Sequence, residues 1–113
     1  MAVEIRDDRA AGRLEAYEDG AVVGHVVYFV LAGEVPALVP VHTVVHEGHE
    51  GRGIAGDLVR TVYRNAEREG VPVVPLCPYA AAWAERHPEE APVPAEELVT
   101  AAKEQLAATP GLW

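Results

Sequence analysis

The chain has a single cysteine, Cys77, so no internal disulfide framework is open to it. It is also poor in basic residues. Nine Lys and Arg stand against eighteen Asp and Glu, a formal charge of −9 with histidine neutral. Non-specific nucleic-acid binding calls for the opposite sign, so nucleic acid is not an expected partner. An acidic field suits a cationic partner such as an amine. Long apolar runs are missing too. The longest, from Val22 to Leu31, is broken by Gly24 and His25 and is far too short to span a bilayer. The opening M-A-V-E-I-R-D-D lacks a basic segment followed by an apolar one, so no secretory leader is expected. There is no internal repeat and no low-complexity tract. These absences together lead us to expect a soluble protein of the reducing cytoplasm, away from membranes.

What is present is an ordinary globular balance: 113 residues, 50% hydrophobic and 24% charged. That length fits one domain. Residues 3–6 read as a short first strand. In 13–18, Leu14 and Ala16 alternate with Arg13, Glu15 and Tyr17. Asp19-Gly20 is a hairpin signal, followed by a β-branched and aromatic strand over 21–31. Residues 37–45 form a fourth strand, in which Pro40 cannot donate to a ladder, so an edge or a bulge is expected there.

The period then changes. Ile54, Ala55, Leu58, Val59, Val62, Tyr63 and Ala66 fall at helical spacing, with Gly70 as a C-terminal stop. Residues 71–77 read as a buried strand strained by Pro72 and Pro75. A second helix is predicted from Tyr79 to His87, with Trp83 in the core, and a third over 95–107, with Leu98, Val99, Ala102 and Leu106 on one face. Thr109-Pro110-Gly111 stops it, and Trp113 is read as a tail anchor or an exposed residue. The order predicts an α/β (α+β) domain with a mixed, mainly antiparallel sheet over 1–90, and a helical extension over 91–113.

Between the fourth strand and the first helix lies H-E-G-H-E-G-R-G-I-A-G, residues 46–56. Glycines at 48, 51, 53 and 56 let the backbone turn sharply and approach a ligand closely. The free N–H groups of the first helical turn, with the helix dipole behind them, make an anion site suited to phosphate or pyrophosphate. No Gly-Lys-Ser/Thr is present for a Walker loop, and the antiparallel strands before this loop do not suit a dinucleotide fingerprint. His42, His46 and His49 invite a metal reading. Yet His46-Glu47-Gly48-His49 is not H-E-x-x-H, whose histidines lie four apart on one helix face, so no metal is expected.

H-T-V-V (42–45), G-R-G-I-A (51–55), V-V-P-L-C-P-Y (73–79) and R-H-P-E (86–89) occur in this order. Together they resemble the small single-domain branch of the GNAT N-acetyltransferases over about residues 3–90. The resemblance implies a sheet with a splayed strand pair that admits acetyl-coenzyme A. It places the pantetheine arm on the backbone of Thr43, Val44 and Val45. The pyrophosphate falls on the loop amides of Gly51, Arg52, Gly53, Ile54, Ala55 and Gly56. It also implies His42 and Cys77 as catalytic candidates. Each lies on a strand bordering the splay, an arrangement that allows contact between the two across it. Gly53 and Ala55 match the family loop pattern, whereas Glu50 stands where Arg or Gln is usual and Tyr79 where Phe is common. A carboxylate there weakens the pyrophosphate site, and Arg52 is expected to offset it in part.

The chemistry of the two candidates is sound. An imidazole of ordinary pKa accepts a proton from an amine acceptor near neutrality. A cysteine serves either as acyl carrier or as proton donor to the leaving thiolate. Two rival readings remain: an acyl-coenzyme A-binding module without turnover, and an interaction protein that uses the apolar face of the third helix.

Overall fold

The structure is a computed structural model that describes residues 3–34 and 36–109. The expected stop at Pro110-Gly111 and the reading of Trp113 lie outside the described residues. Four strands form an antiparallel meander in sequence order: β1 (Glu4–Asp8), β2 (Arg13–Glu18), β3 (Ala21–Val30) and β4 (Leu38–Val45). Asp19 and Gly20 close the β2–β3 hairpin with φ of 52° and 80°, the two positive values that a tight hairpin turn of this twist requires. The helices are α1 (Ile54–Glu69), α2 (Pro78–Arg86) and α3 (Glu96–Ala107). Pro78 opens α2, a position where its missing N–H costs nothing.

The two faces of the sheet are unequal. Leu14, Ala16, Val26 and Leu38 point toward α1 and α2 and pack with Leu58, Val59, Val62, Tyr63, Cys77 and Trp83. The other face is covered at one end only. There Ala102 and Leu106 of α3 pack on Val39, Val41 and Val74, with Leu98 and Val99 at the margin. The apolar stripe of the third helix is therefore used within the chain. Among the described residues no helix is long and apolar enough to cross a membrane.

Residues 71–77 differ from expectation. They form no strand, only a single parallel bridge between Leu38 and Val73. The amides of Leu38, Val74 and Leu76 donate to Pro72, Leu38 and Pro40 carbonyls, at 3.0, 2.9 and 3.1 Å. Between the last two of these the pattern would place a bond from the amide of residue 40 to the Val74 carbonyl, and proline has no hydrogen to give. The amide of Cys77 also donates to the Pro40 carbonyl, at 2.9 Å, and no later bond joins the two segments among the described residues. β4 also bulges at this point: Tyr28 pairs with Pro40 while Val27 pairs with His42, so Val41 is the extra residue. The expected irregularity at Pro40 is present on both sides of the strand.

Candidate functional site

The glycine loop leads straight into α1. Gly51 and Gly53 adopt φ of 78° and 82°, values that a side chain would strain, and a β-carbon at either would meet nothing within 4 Å. The helix begins at Gly53 with no side-chain cap. Among the described hydrogen bonds none is donated by the amides of Gly53, Ile54, Ala55 or Gly56; the first amide to find an acceptor is that of Asp57, at 3.0 Å from the Gly53 carbonyl. A turn of main-chain donors thus faces outward, as a helix start without a cap must.

Glu50 and Arg52 of the loop are both engaged. The Gly48 amide donates to Glu50 Oε1 at 2.9 Å. Backbone amides, first that of Glu50 itself and then those of Gly48 and His49, hold the Glu50 carboxyl below its ordinary range. Its charge is therefore turned onto residues 48–50, upstream of the helical turn. The Arg52 guanidinium donates through both terminal nitrogens to the Glu18 carboxylate at the end of β2, with His49 Nδ1 at 3.1 Å from one of them. Arg52 accordingly clips the loop to β2, and Glu18 already balances the charge expected to offset Glu50.

Beyond Pro40 no strand pairs with the outer edge of β4 among the described residues, so the backbone of Thr43, Val44 and Val45 lies at a sheet edge. Val44 is 40% exposed. Cys77 is the residue that precedes α2 as its N-cap, and its Sγ lies 3.3 Å from Thr43 Oγ1. Strand neighbours paired across a sheet share a face. Thr43 pairs with Val26 and so faces α1, whereas His42 pairs with Val27 and faces the α3 side. The register does not bring His42 and Cys77 together across the splay, a meeting that the strand order alone allowed. The bulge at Val41 sets them on opposite faces of the sheet, and Thr43 is the residue beside the sulfur.

Sequence reasoning missed a second feature. A β-carbon placed on Gly56 would stand 3.6 Å from both the Tyr79 hydroxyl and Trp83 Nε1. Two side-chain donors from α2 thus lie within ordinary contact distance of a side chain placed on the first turn of α1. The signal was the i, i+4 spacing of Tyr79 and Trp83, which puts both on one helix face. Among the described residues no cluster of histidine, cysteine and carboxylate side chains is arranged to hold a metal.

The sheet, the uncapped glycine turn and the unpaired edge of β4 are compatible with an acetyltransferase-type fold, and comparison with known proteins agrees. The family model described as GCN5-related N-acetyl-transferase matches residues 13–93, well over half of the chain. The chain belongs to the GCN5-related N-acetyltransferase family. Among solved structures it is similar to the ribosomal-protein-alanine N-acetyltransferase from Brucella melitensis biovar Abortus 2308. That match has 27% identity and a TM-score of 0.56, over 74% of this chain and 64% of that one. It shares its fold with the aminoglycoside N-acetyltransferase AAC(6')-Iy, determined in complex with CoA. Here identity is 17% and the TM-score 0.50, over 74% of this chain and 60% of that one. This chain thus spans less than two thirds of the length of either. No curated protein matches it in sequence.

Proposed function

We propose that the chain moves an acetyl group from acetyl-coenzyme A to an amine in the cytoplasm. The observation that carries this reading is the turn of unpaired amides from Gly53 to Gly56 beside a β4 edge left open past Pro40. The loop from Gly51 through Arg52, Gly53, Ile54 and Ala55 to Gly56 holds the pyrophosphate, and the backbone of Thr43, Val44 and Val45 holds the pantetheine arm. The Tyr79 hydroxyl and Trp83 Nε1 bound the site over Gly56. His42, on the α3 side, passes the protons released by the amine on to solvent. Cys77, buried at 3% exposure on the opposite face, suits a proton donor to the departing thiolate better than an exposed acyl carrier. No metal takes part in this reading.

Calorimetric titration with acetyl-coenzyme A tests the reading, and absence of binding at millimolar coenzyme ends it. Intact mass after incubation is expected to show no added acetyl group. An acetyl adduct that vanishes in Cys77→Ala would convert Cys77 into the carrier. Binding without coenzyme release on any amine would instead leave an acyl-coenzyme A-binding module.

The engaged state of Glu50 sets a further expectation. Glu50→Gln removes a negative charge from the mouth of the loop. Between exposed charges the repulsion of a bound diphosphate is worth about 0.2–1 kcal/mol, so coenzyme affinity should rise by up to about fivefold. The gain should shrink in high salt, because Glu50 is exposed. Unchanged or weaker binding in the variant would show that the carboxylate does not oppose the diphosphate.

A further inference from the structure

The face of the sheet away from α1 carries an ordered row of polar groups that the proposed chemistry has not used. Glu15 on β2 pairs with His25 on β3, and His25 pairs with Val44 on β4. Neighbouring strands lie about 4.8 Å apart, so carboxylate, imidazole and the Val44 edge follow one another straight across the sheet. The adjacent row is Arg13, Val27 and His42. Leu14 and Ala16 on the reverse face are buried, while Arg13, Glu15, Tyr17 and His25 are only half-buried. α3 covers Val39 and Val41 beyond the bulge and leaves this row open.

Two of these groups have capacity to spare. His25 Nδ1 is buried without a hydrogen-bond partner, so a ligand on this face would meet the other ring nitrogen, Nε2. The His25 ring meets the His46 ring edge-on, with centroids 5.9 Å apart. Glu15 accepts from the Tyr17 hydroxyl at 3.1 Å and has Arg13 Nε at 3.6 Å. A carboxylate offers about four acceptor positions, so room for another donor remains. The groups facing His25 are Arg13 and Glu15 from β2, His42 from β4 and His46 just beyond it. Burial holds the imidazole below its ordinary range, with Arg13, His46 and His42 acting in the same direction and Glu15 against them.

We propose that this open face is the acceptor subsite, where Glu15 holds a primary amine and His25 takes its proton. The inference rests on the acetyl-transfer reading above, because it needs a thioester seated at Val44. The ammonium gives one proton to the neutral imidazole and becomes a free amine. Its lone pair attacks the thioester carbonyl carbon, a carbon–nitrogen bond forms, and the carbon–sulfur bond breaks with its electron pair on sulfur. Of the two protons lost from nitrogen, one ends on the coenzyme sulfur and one passes to solvent.

The test uses the full chain with butylamine and benzylamine as acceptors. In His25→Ala and His25→Gln, kcat should fall about 100-fold while the coenzyme Kd stays within about twofold. The wild-type rate should fall on the acid side of neutrality, and that limb should disappear in both variants. Imidazole in the buffer should restore part of the His25→Ala rate, which a merely structural loss does not allow. Glu15→Gln should raise KM for the amine rather than weaken coenzyme binding. Independently of turnover, either amine should shift the side-chain NMR signals of His25 and Glu15. Wild-type rates and pH profiles in both His25 variants overturn the proposal, as does a wild type that binds coenzyme yet turns over neither amine. Failure to bind acetyl-coenzyme A is read separately, before any amine is added, and overturns the proposed function instead.

Discussion

Trp83→Ala should lower stability by about 4 kcal/mol and the unfolding midpoint by roughly 15 °C. The indole is 2% exposed and lies at the junction of α1 and α2. Its ring stacks on Tyr63 at 5.6 Å between centroids and on His87 at 4.1 Å, and the Arg60 guanidinium carbon lies 5.4 Å from its centre. His87 Nδ1 donates to the Trp83 carbonyl at 2.9 Å, which fixes that ring against the indole. Truncation leaves a cavity that these aromatic rings cannot collapse into, so the cost sits in the upper part of the range for buried aromatics. A domain of this size has about 5–15 kcal/mol in all, so the loss is a large share. Trp83→Phe keeps a stacking ring and should recover more than half of it. Thermal melts followed by circular dichroism decide the matter. A fall of less than about 1 kcal/mol for the alanine variant would show that the stack contributes little.

Gly12→Ala should cost about 3 kcal/mol, which is large for one added methyl. Gly12 has φ of 67°, and a β-carbon built there would lie 2.4 Å from the Tyr28 carbonyl oxygen. That oxygen is backbone and cannot rotate away. The Gly12 carbonyl also accepts from the Tyr28 amide at 2.9 Å, so relief of the clash would break a bond that joins the β1–β2 turn to β3. Gly20→Ala is the control: its φ of 80° is similarly strained, but a β-carbon there meets nothing within 4 Å. It should cost about 1 kcal/mol, from backbone strain alone. Equal losses in the two variants, read from urea unfolding midpoints, would sink the argument from close approach.

Much of this architecture was legible because local chemistry and tertiary context agree. Asp19-Gly20 turns where its residue types allow two positive φ values, and Gly70 stops α1 in the left-handed region as a C-terminal glycine does. The alternation of Leu14 and Ala16 with Arg13, Glu15 and Tyr17 is the alternation of burial along β2. The uncapped turn after the glycine loop follows from its sequence, which offers no Ser, Thr, Asp or Asn at the helix start.

The rest lay in pairing register, which a single strand does not encode. Nothing in V-P-V-H-T-V-V says which of His42 and Thr43 faces α1, because one bulged residue reverses the answer. Pro40 marked the place but not the consequence. His25 is hidden in the same way. Within a β-branched strand it reads as an interruption of an apolar run, and only its alignment with Glu15 and Val44 gives it neighbours. The strand expected at 71–77 failed because its bonds depend on a donor in a distant segment.

Pro40 therefore leaves the carbonyl of Val74 without the main-chain partner that an ordinary amino acid at 40 would supply. The seam closes again one step on, where the amides of Leu76 and Cys77 both end on the Pro40 carbonyl. The flaw is thus written into covalent structure rather than into a balance of weak forces, and it should persist whether or not anything is bound nearby.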